Sequence, residues 1–326
     1  MALPKLSAGA AALLMIASLP VGAEDAPVEA QIVDAMNKLF GVHAGFRANH
    51  AKGIVAVGRF KPSPEASTLS KAVLFDGPSV PVTVRFSDAT GLPTIPDGSG
   101  GANPHGLAIK FHLPDGNETD MVINSLKFFP VATGAEFRDL LLALAESPPD
   151  APKPTKFETF AKSHPQVARA QATVATPDSF ADEQYNGVDA FILVNKKGAK
   201  QAVRYIAVPE KLVHLDQAEA AKMPPDFLVD ELTARLAKGP VTFYLKAQLA
   251  SPSDQTKDPS LPWPDENKVV ELGVLTIDKA APDSLEAQKQ LLFLPGRLVD
   301  GIELSDDPLI SVRDGAYAVS FSRRNP

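Results

Sequence analysis

The residues best suited to chemistry fall in short stretches near the two ends of the chain. His50 sits in FRANHAKGIVAVGRF, just before a strand pattern, with Arg47 three residues earlier. A histidine so placed can take a proton and return it. Near the other end, Arg313 and Tyr317 stand four apart in RDGAY. If that piece is helical they share a face, the guanidinium lies beside the phenol oxygen, and the tyrosinate form is favoured. A phenolate is one type of axial ligand to haem iron, and Arg323 and Arg324 are then placed to balance the haem carboxylates. Arg85 lies in the otherwise apolar run VPVTVRFSD, with Ser87 two residues on; an arginine there must be paired, exposed or aimed at an anion. Each feature also has a commonplace reading. Arginine and tyrosine recur at this spacing by chance, and an isolated arginine is usually a surface charge. A zinc or non-haem iron site is disfavoured: of the six histidines, His105 and His112 end one strand segment on opposite faces.

The elements that must position these residues are legible in the hydrophobic pattern. VEAQIVDAMNKLFG, residues 28–41, places Ile32, Met36, Leu39 and Phe40 on one helical face and ends in glycine. GIVAVGRF, VPVTVRFSD, HGLAIKFHLP and MVINSLKFF read as strands separated by turn-rich segments. AEFRDLLLALAES and KFETFAKSHPQVARAQA read as helices, and strand pattern returns at DAFILVN and KQAVRYIAVPE. PPDFLVDELTARLAKG is a further helix, PVTFYLKAQLA and NKVVELGVLTIDK are strands, and SLEAQKQLLFLP is helix-like. LISVRDGAYAVSFSRR is ambiguous between helix and strand on periodicity alone. The order is not the alternation of a doubly wound sheet; it predicts a mostly antiparallel barrel with helical insertions, an α+β fold. There is no GxGxxG before a helix, no glycine–lysine phosphate loop and no HExxH.

The 326 residues and 44% apolar content suffice for one large core. Lys plus Arg total 32 against 39 Asp plus Glu, a formal charge of -7, which speaks against a nucleic-acid surface. With no cysteine, disulfides, thiolate catalysis, thiolate-ligated haem and protein-thiolate iron–sulfur centres are excluded. The first residues, MALPKLSAGAAALLMIASLPVGA, carry one charge, Lys5, then an apolar core from Ala8 to Leu19 and a small-residue exit. That pattern predicts a signal peptide over residues 1–23, cleavage after Ala23, export to the periplasm, and a single domain over 24–326. The apolar core is short for a membrane anchor.

RANHAKG, VRFSDATG, NPHGLAIKFHLPDGNETDMVINSLKFF, DPSLPWP and GIELSDDPLISVRDGAY occur in that order. Together they resemble the haem-catalase family, and in particular its short exported branch, the catalase-related peroxidases, over about residues 38–324. The resemblance implies haem b buried between a catalase-like barrel and helices. It implies His50 as the distal histidine, Ser87 as the support of its ring, and Tyr317 as the axial iron ligand with Arg313 one turn before it. Arg47 and Arg324 would meet the haem propionates; Arg85 and Phe129 or Phe137 are further candidates for the cofactor site, the phenylalanines having an ordinary core role as the alternative.

Two departures stand out. Full-size members carry arginine–glycine–phenylalanine–alanine, the arginine being a propionate contact, where this chain has His105, Gly106, Leu107 and Ala108. His105 is therefore expected to make a weaker, pH-dependent contact. Full-size members also carry two asparagines before a TPxFF stretch, the first catalytic; aligning on Phe128 and Phe129 puts Ile123 there and Asn124 second. The simpler reading is that the polar distal partner is missing, with Asn124 serving only if the strand shifts.

The resemblance thus implies an enzyme that reduces hydrogen peroxide, His50 acting as base and then acid. The missing partner and small size favour a small organic electron donor, with weak oxygen release. The alternatives are a true catalase, an organic hydroperoxide isomerase, or a haem-binding protein without catalysis. The chain lacks the long N-terminal arm and C-terminal extension of larger members, which leads to the expectation of a monomer or homodimer.

Overall fold

The computed structural model describes residues 26–325. The expected signal peptide, residues 1–23, lies outside the described residues, among which no helix is long and apolar enough to cross a membrane.

Helix α1 (Val28–Phe40) buries Ile32, Val33, Ala35 and Met36 and stops at Gly41, whose φ of 85° suits glycine. Strand β1 (Gly53–Pro62), the single turn α2 (Ala66–Leu69), β2 (Val80–Asp88), β3 (His105–His112) and β4 (Glu118–Asn124) follow. Helix α3 (Gly134–Ala145) begins with a reciprocal cap between Thr133 and Glu136. The long helix expected after it is two, α4 (Lys156–Ser163) and α5 (Gln166–Gln171), because Pro165 cannot supply an N–H to the ladder. Next come β5 (Thr176–Pro177), β6 (Tyr185–Asn186), β7 (Phe191–Val194), β8 (Lys200–Pro209) and β9 (His214–Leu215). Helices α6 (Gln217–Ala220) and α7 (Phe227–Leu236) precede β10 (Val241–Leu249) and β11 (Val269–Ala280). The chain then runs through α8 (Ser284–Ala287), much shorter than the pattern suggested, and β12 (Ile302–Leu304) to α9 (Leu309–Arg324).

Eight strands close on themselves in the order β10-β11-β1-β2-β3-β4-β6-β8, β8 pairing back onto β10; β7 and β12 extend from β8. The expected antiparallel barrel with helical insertions is therefore the observed architecture. Its interior is filled by alternate residues, among them Phe86, Tyr185 and Phe243, whose ring centroids lie 5.9–6.0 Å apart. Leu107, Ile109, Leu245, Leu275 and Ile277 are fully buried beside them. Burial of each such side chain contributes about 1.5–3 kcal/mol.

The register decides what faces outward. Ser87 pairs with Gly106 and Gly106 with Asn124, so these three form one row across β2, β3 and β4. Phe86, Leu107 and Ile123 form the adjacent, inward row. Outside the barrel, α1, α3 and α9 join through Ile32, Val33, Met36, Leu141 and Ala316. The ambiguous C-terminal segment is helical: Asp307 Oδ1 accepts the Leu309 N–H at 2.8 Å, and Arg323 and Arg324 sit at the negative end of the helix dipole.

Candidate active site

The outward row of the barrel and the inner face of α9 flank a cavity. A 3.6-residue period brings Leu309, Val312, Arg313, Ala316, Tyr317, Ser320 and Arg324 to this face of α9. Arg85, Ser87, Gly106, Ala108, Val122 and Asn124 line the barrel side, Phe129 and Phe137 the flank, and Ile32, Val33 and Met36 of α1 a further wall.

His50 enters from the loop before β1 at a φ of 55°, a left-handed conformation uncommon for a residue with a side chain. Arg85 stabilises that turn, donating through Nη2 to the carbonyls of His50 (2.8 Å) and Ala51 (3.3 Å). The imidazole Nδ1 lies 3.0 Å from Ser87 Oγ, which leaves Nε2 for the cavity. Burial, then the charges of Arg85, Arg313 and Arg47, lower the His50 pKa to about 3, so the ring is neutral at ordinary pH. A hydroxyl can accept from Nδ1–H or donate to bare Nδ1. The Ser87 contact therefore serves the ring both as a base and as an acid at Nε2.

On the helix side, Arg313 donates to the Tyr317 oxygen through Nε (3.2 Å) and Nη2 (3.1 Å). Its Nη2 also reaches the Val122 carbonyl at 3.1 Å, and its Nη1 pairs with Asp189. The two guanidinium bonds fix the position of the phenol oxygen.

At the cavity edge, Arg47, Arg85 and Arg324 come together with no carboxylate bonded to any of them among the described residues. Arg47 donates to the carbonyls of Gln288 (3.3 Å) and Leu291 (2.8 Å), Arg85 Nε to Gln288 Oε1 (2.9 Å), and Arg324 to the Leu291 carbonyl (2.8 Å). Burial, followed by repulsion from Arg324, pushes Arg85 down to about 9, and burial lowers Arg324 to about 10. Arg324 Nε is buried without a partner among the described residues. Clustered guanidiniums bonded only to neutral oxygens make a site for a doubly anionic group.

Ten of the side chains singled out in the sequence line this cavity, but Arg323 and His105 do not. Arg323 is paired with Asp34 on the surface, at 2.7 Å. The strand position of His105 alternates with Gly106, so its ring points into the barrel, fully buried, edge-on to Phe180 and 3.5 Å from Asp88. It is no propionate contact. Ile123 and Asn124 both border the cavity; Asn124 stands in the row of Ser87 and Gly106, and Ile123 in the adjacent row of Phe86 and Leu107. The Asn124 Oδ1 accepts the Leu126 N–H at 2.9 Å, which identifies the oxygen and leaves the amide NH2 without a partner among the described residues. Sequence reasoning missed Gln288, which bonds two of the arginines, Asp189, which holds Arg313, and Asn49, a cavity residue whose buried Oδ1 lacks a partner among the described residues. Gln288 and Asp189 carry no motif, whereas Asn49 lies within RANHAKG beside His50.

The sequence profile of the catalase family matches residues 29–325. The chain belongs to the catalase family. It is similar to the catalase-related peroxidase of Synechococcus elongatus, at 35% identity over 90% of this chain and 88% of that one. It is likewise similar to the catalase-related peroxidase of Mycolicibacterium paratuberculosis, at 36% identity over 90% and 94%. A fungal catalase crystal structure shares the fold, with a TM-score of 0.74 at 21% identity; the match covers 86% of this chain and 60% of that one. This catalase-family chain is therefore a peroxide-acting oxidoreductase whose fold implies a haem cofactor. The donor set fits that group: a phenol oxygen for iron, an uncompensated arginine cluster for two carboxylates, and apolar walls for the ring.

Proposed function

We propose that the chain is a haem-dependent peroxidase that reduces hydrogen peroxide with electrons from a small organic donor. The observation that carries this is one cavity with His50 and Ser87 on its barrel side and Arg313 and Tyr317 on its helix side. Haem held there supplies the redox-active iron that exchanges electrons between peroxide and donor. Tyr317 is the protein ligand to that iron, with Arg313 fixing the position of its oxygen. Arg47, Arg85 and Arg324 hold the carboxylates, and Phe129 and Phe137, their rings 5.0 Å apart, pack on the flank. His50 Nε2 takes the peroxide proton and returns it to the departing oxygen, while Ser87 keeps the ring aimed. Export is part of the proposal and is supported by the leader pattern of residues 1–23.

A second reading, oxygen release from two peroxides, is favoured by Asn124, whose amide NH2 is available to orient a peroxide beside His50. The ligand assignment is tested by the visible spectrum of haem-loaded protein. Wild type is expected to show a tyrosinate-ligated ferric haem, and Tyr317→Phe to lose that signature. Identical spectra would remove Tyr317 from the role.

A further inference from the structure

Asn49 precedes His50 and lines the same cavity, yet its carboxamide bonds nothing among the described residues, and its Oδ1 is buried. The backbone that presents it is held on both sides. Ala48 donates its N–H to Ser320 Oγ at 3.1 Å, Ala51 donates to the Thr90 carbonyl at 2.9 Å, and the His50 carbonyl accepts from Arg85 at 2.8 Å. A buried amide without a partner works against the fold. The other polar side chains on the barrel side are engaged or can only donate: Ser87 Oγ serves the His50 ring, the Asn124 oxygen takes the Leu126 N–H, and the arginines have no acceptor atoms. The side-chain acceptors left there for a small guest, among the described residues, are the imidazole nitrogen and the Asn49 oxygen. The terminal torsion of an asparagine is broad and roughly two-fold, so an amide bonded at neither end can turn either its oxygen or its NH2 to a guest.

We propose that Asn49 is a specificity-determining residue: its carboxamide binds the hydroxyl of hydrogen peroxide that His50 does not, and so selects hydrogen peroxide over alkyl hydroperoxides. The inference rests on peroxide being reduced beside His50, as proposed above. Hydrogen peroxide carries two O–H groups. One donates to His50 Nε2, and the other is left for the acceptor on the neighbouring residue. An alkyl hydroperoxide has carbon in place of that second hydrogen. It makes the first bond, fills the space that water would take, and leaves the amide unpaired. A site built to pair a substrate hydroxyl rejects the analogue that lacks it, because its own buried polar group is then orphaned. Leucine matches asparagine closely in size, so exchanging one for the other removes the pairing while changing little of the room.

The test compares kcat/KM for hydrogen peroxide and for ethyl hydroperoxide, with one phenolic donor, in haem-loaded wild type and Asn49→Leu, and records the thermal melts of both proteins. Wild type is expected to prefer hydrogen peroxide, and Asn49→Leu to lower that preference at least about tenfold, the loss falling on hydrogen peroxide. A residue that only supports the His50 loop would slow both substrates alike, so an unchanged ratio overturns the proposal. Asn49→Leu is expected to melt no lower than wild type, because the fold gives the amide no partner to lose. A lower melt would show the amide to be bonded within the chain and would overturn the proposal as well. Should Asn49→Leu not take up haem, Asn49→Ala is read by the same ratio: a fall of about tenfold or more supports the proposal and an unchanged ratio overturns it. A wild type that turns over neither peroxide would overturn the peroxidase reading itself, a failure distinct from an unchanged ratio.

Discussion

The ring of His50 rests on Gly106. A Cβ at that glycine would stand 2.9 Å from His50 Nδ1, from His50 Cε1 and from Ser87 Oγ, closer than carbon approaches such atoms. Because Gly106 is paired with Ser87 across the ladder, even one methyl group there drives the imidazole off its hydroxyl partner. Gly106→Ala is expected to lower kcat/KM for peroxide about 10–100-fold, the scale of a misplaced catalytic group, while haem content is retained. Steady-state kinetics normalised to bound haem checks this; unchanged turnover would show that the contact does not set the ring.

Asn124 should matter to the two activities unequally. Asn124→Leu removes the amide that faces the cavity, so oxygen release is expected to fall at least about tenfold and donor oxidation by less. Losing the acceptor for the Leu126 N–H adds a stability cost of about 1 kcal/mol. An oxygen electrode and a donor assay on one preparation separate the effects, and a thermal melt reads the cost.

The arginine cluster is expected to be costly without its anion and useful with it. Arg324→Ala should weaken haem binding about 10–100-fold, the loss of one charge-assisted contact of about 1.5–3 kcal/mol. Burial holds the Arg324 pKa down at about 10, so the folded chain disfavours that cation. The haem-free variant should consequently melt no lower than haem-free wild type. Haem transfer to a competing haem acceptor and melts of the haem-free proteins test both halves.

Two buried histidines give a pH dependence with a definite sign. His50 and His105 are each lowered to about 3, chiefly by burial. Below about 6.5 the unfolded chain takes up protons that the folded chain refuses, so stability falls as pH drops from there toward 3. His105→Leu removes one of these sites outside the cavity. Between pH 7 and 4.5 it should lose about 2 kcal/mol less than wild type in urea unfolding. For the same reason kcat/KM for peroxide should show no inflection near 6.5, since His50 is already neutral there.

Much of this arrangement was legible before the structure. The face shared by Arg313 and Tyr317 needs only helical periodicity, and Gly41 marks the end of α1. Faces across a sheet are different, because they depend on register. Alternation alone puts Arg85 and Ser87 on one side, but only the pairing of Ser87 with Gly106 shows that His105 points inside and Asn124 outside. An alignment anchored on Phe128 and Phe129 does not show which row Asn124 occupies, since strand β4 ends before them. Gln288 and Asp189 were invisible for another reason. Each meets its arginine across more than 120 residues of chain, and neither belongs to a pattern that local sequence could disclose.

The most direct test of the central claim is one cuvette of haem-loaded protein given hydrogen peroxide, with oxygen release and consumption of an added phenolic donor followed together. The expected result is little oxygen before the donor is supplied, then stoichiometric donor oxidation that His50→Ala abolishes. Abundant oxygen with no donor would contradict it and make the chain a working catalase, with Asn124 as the residue responsible.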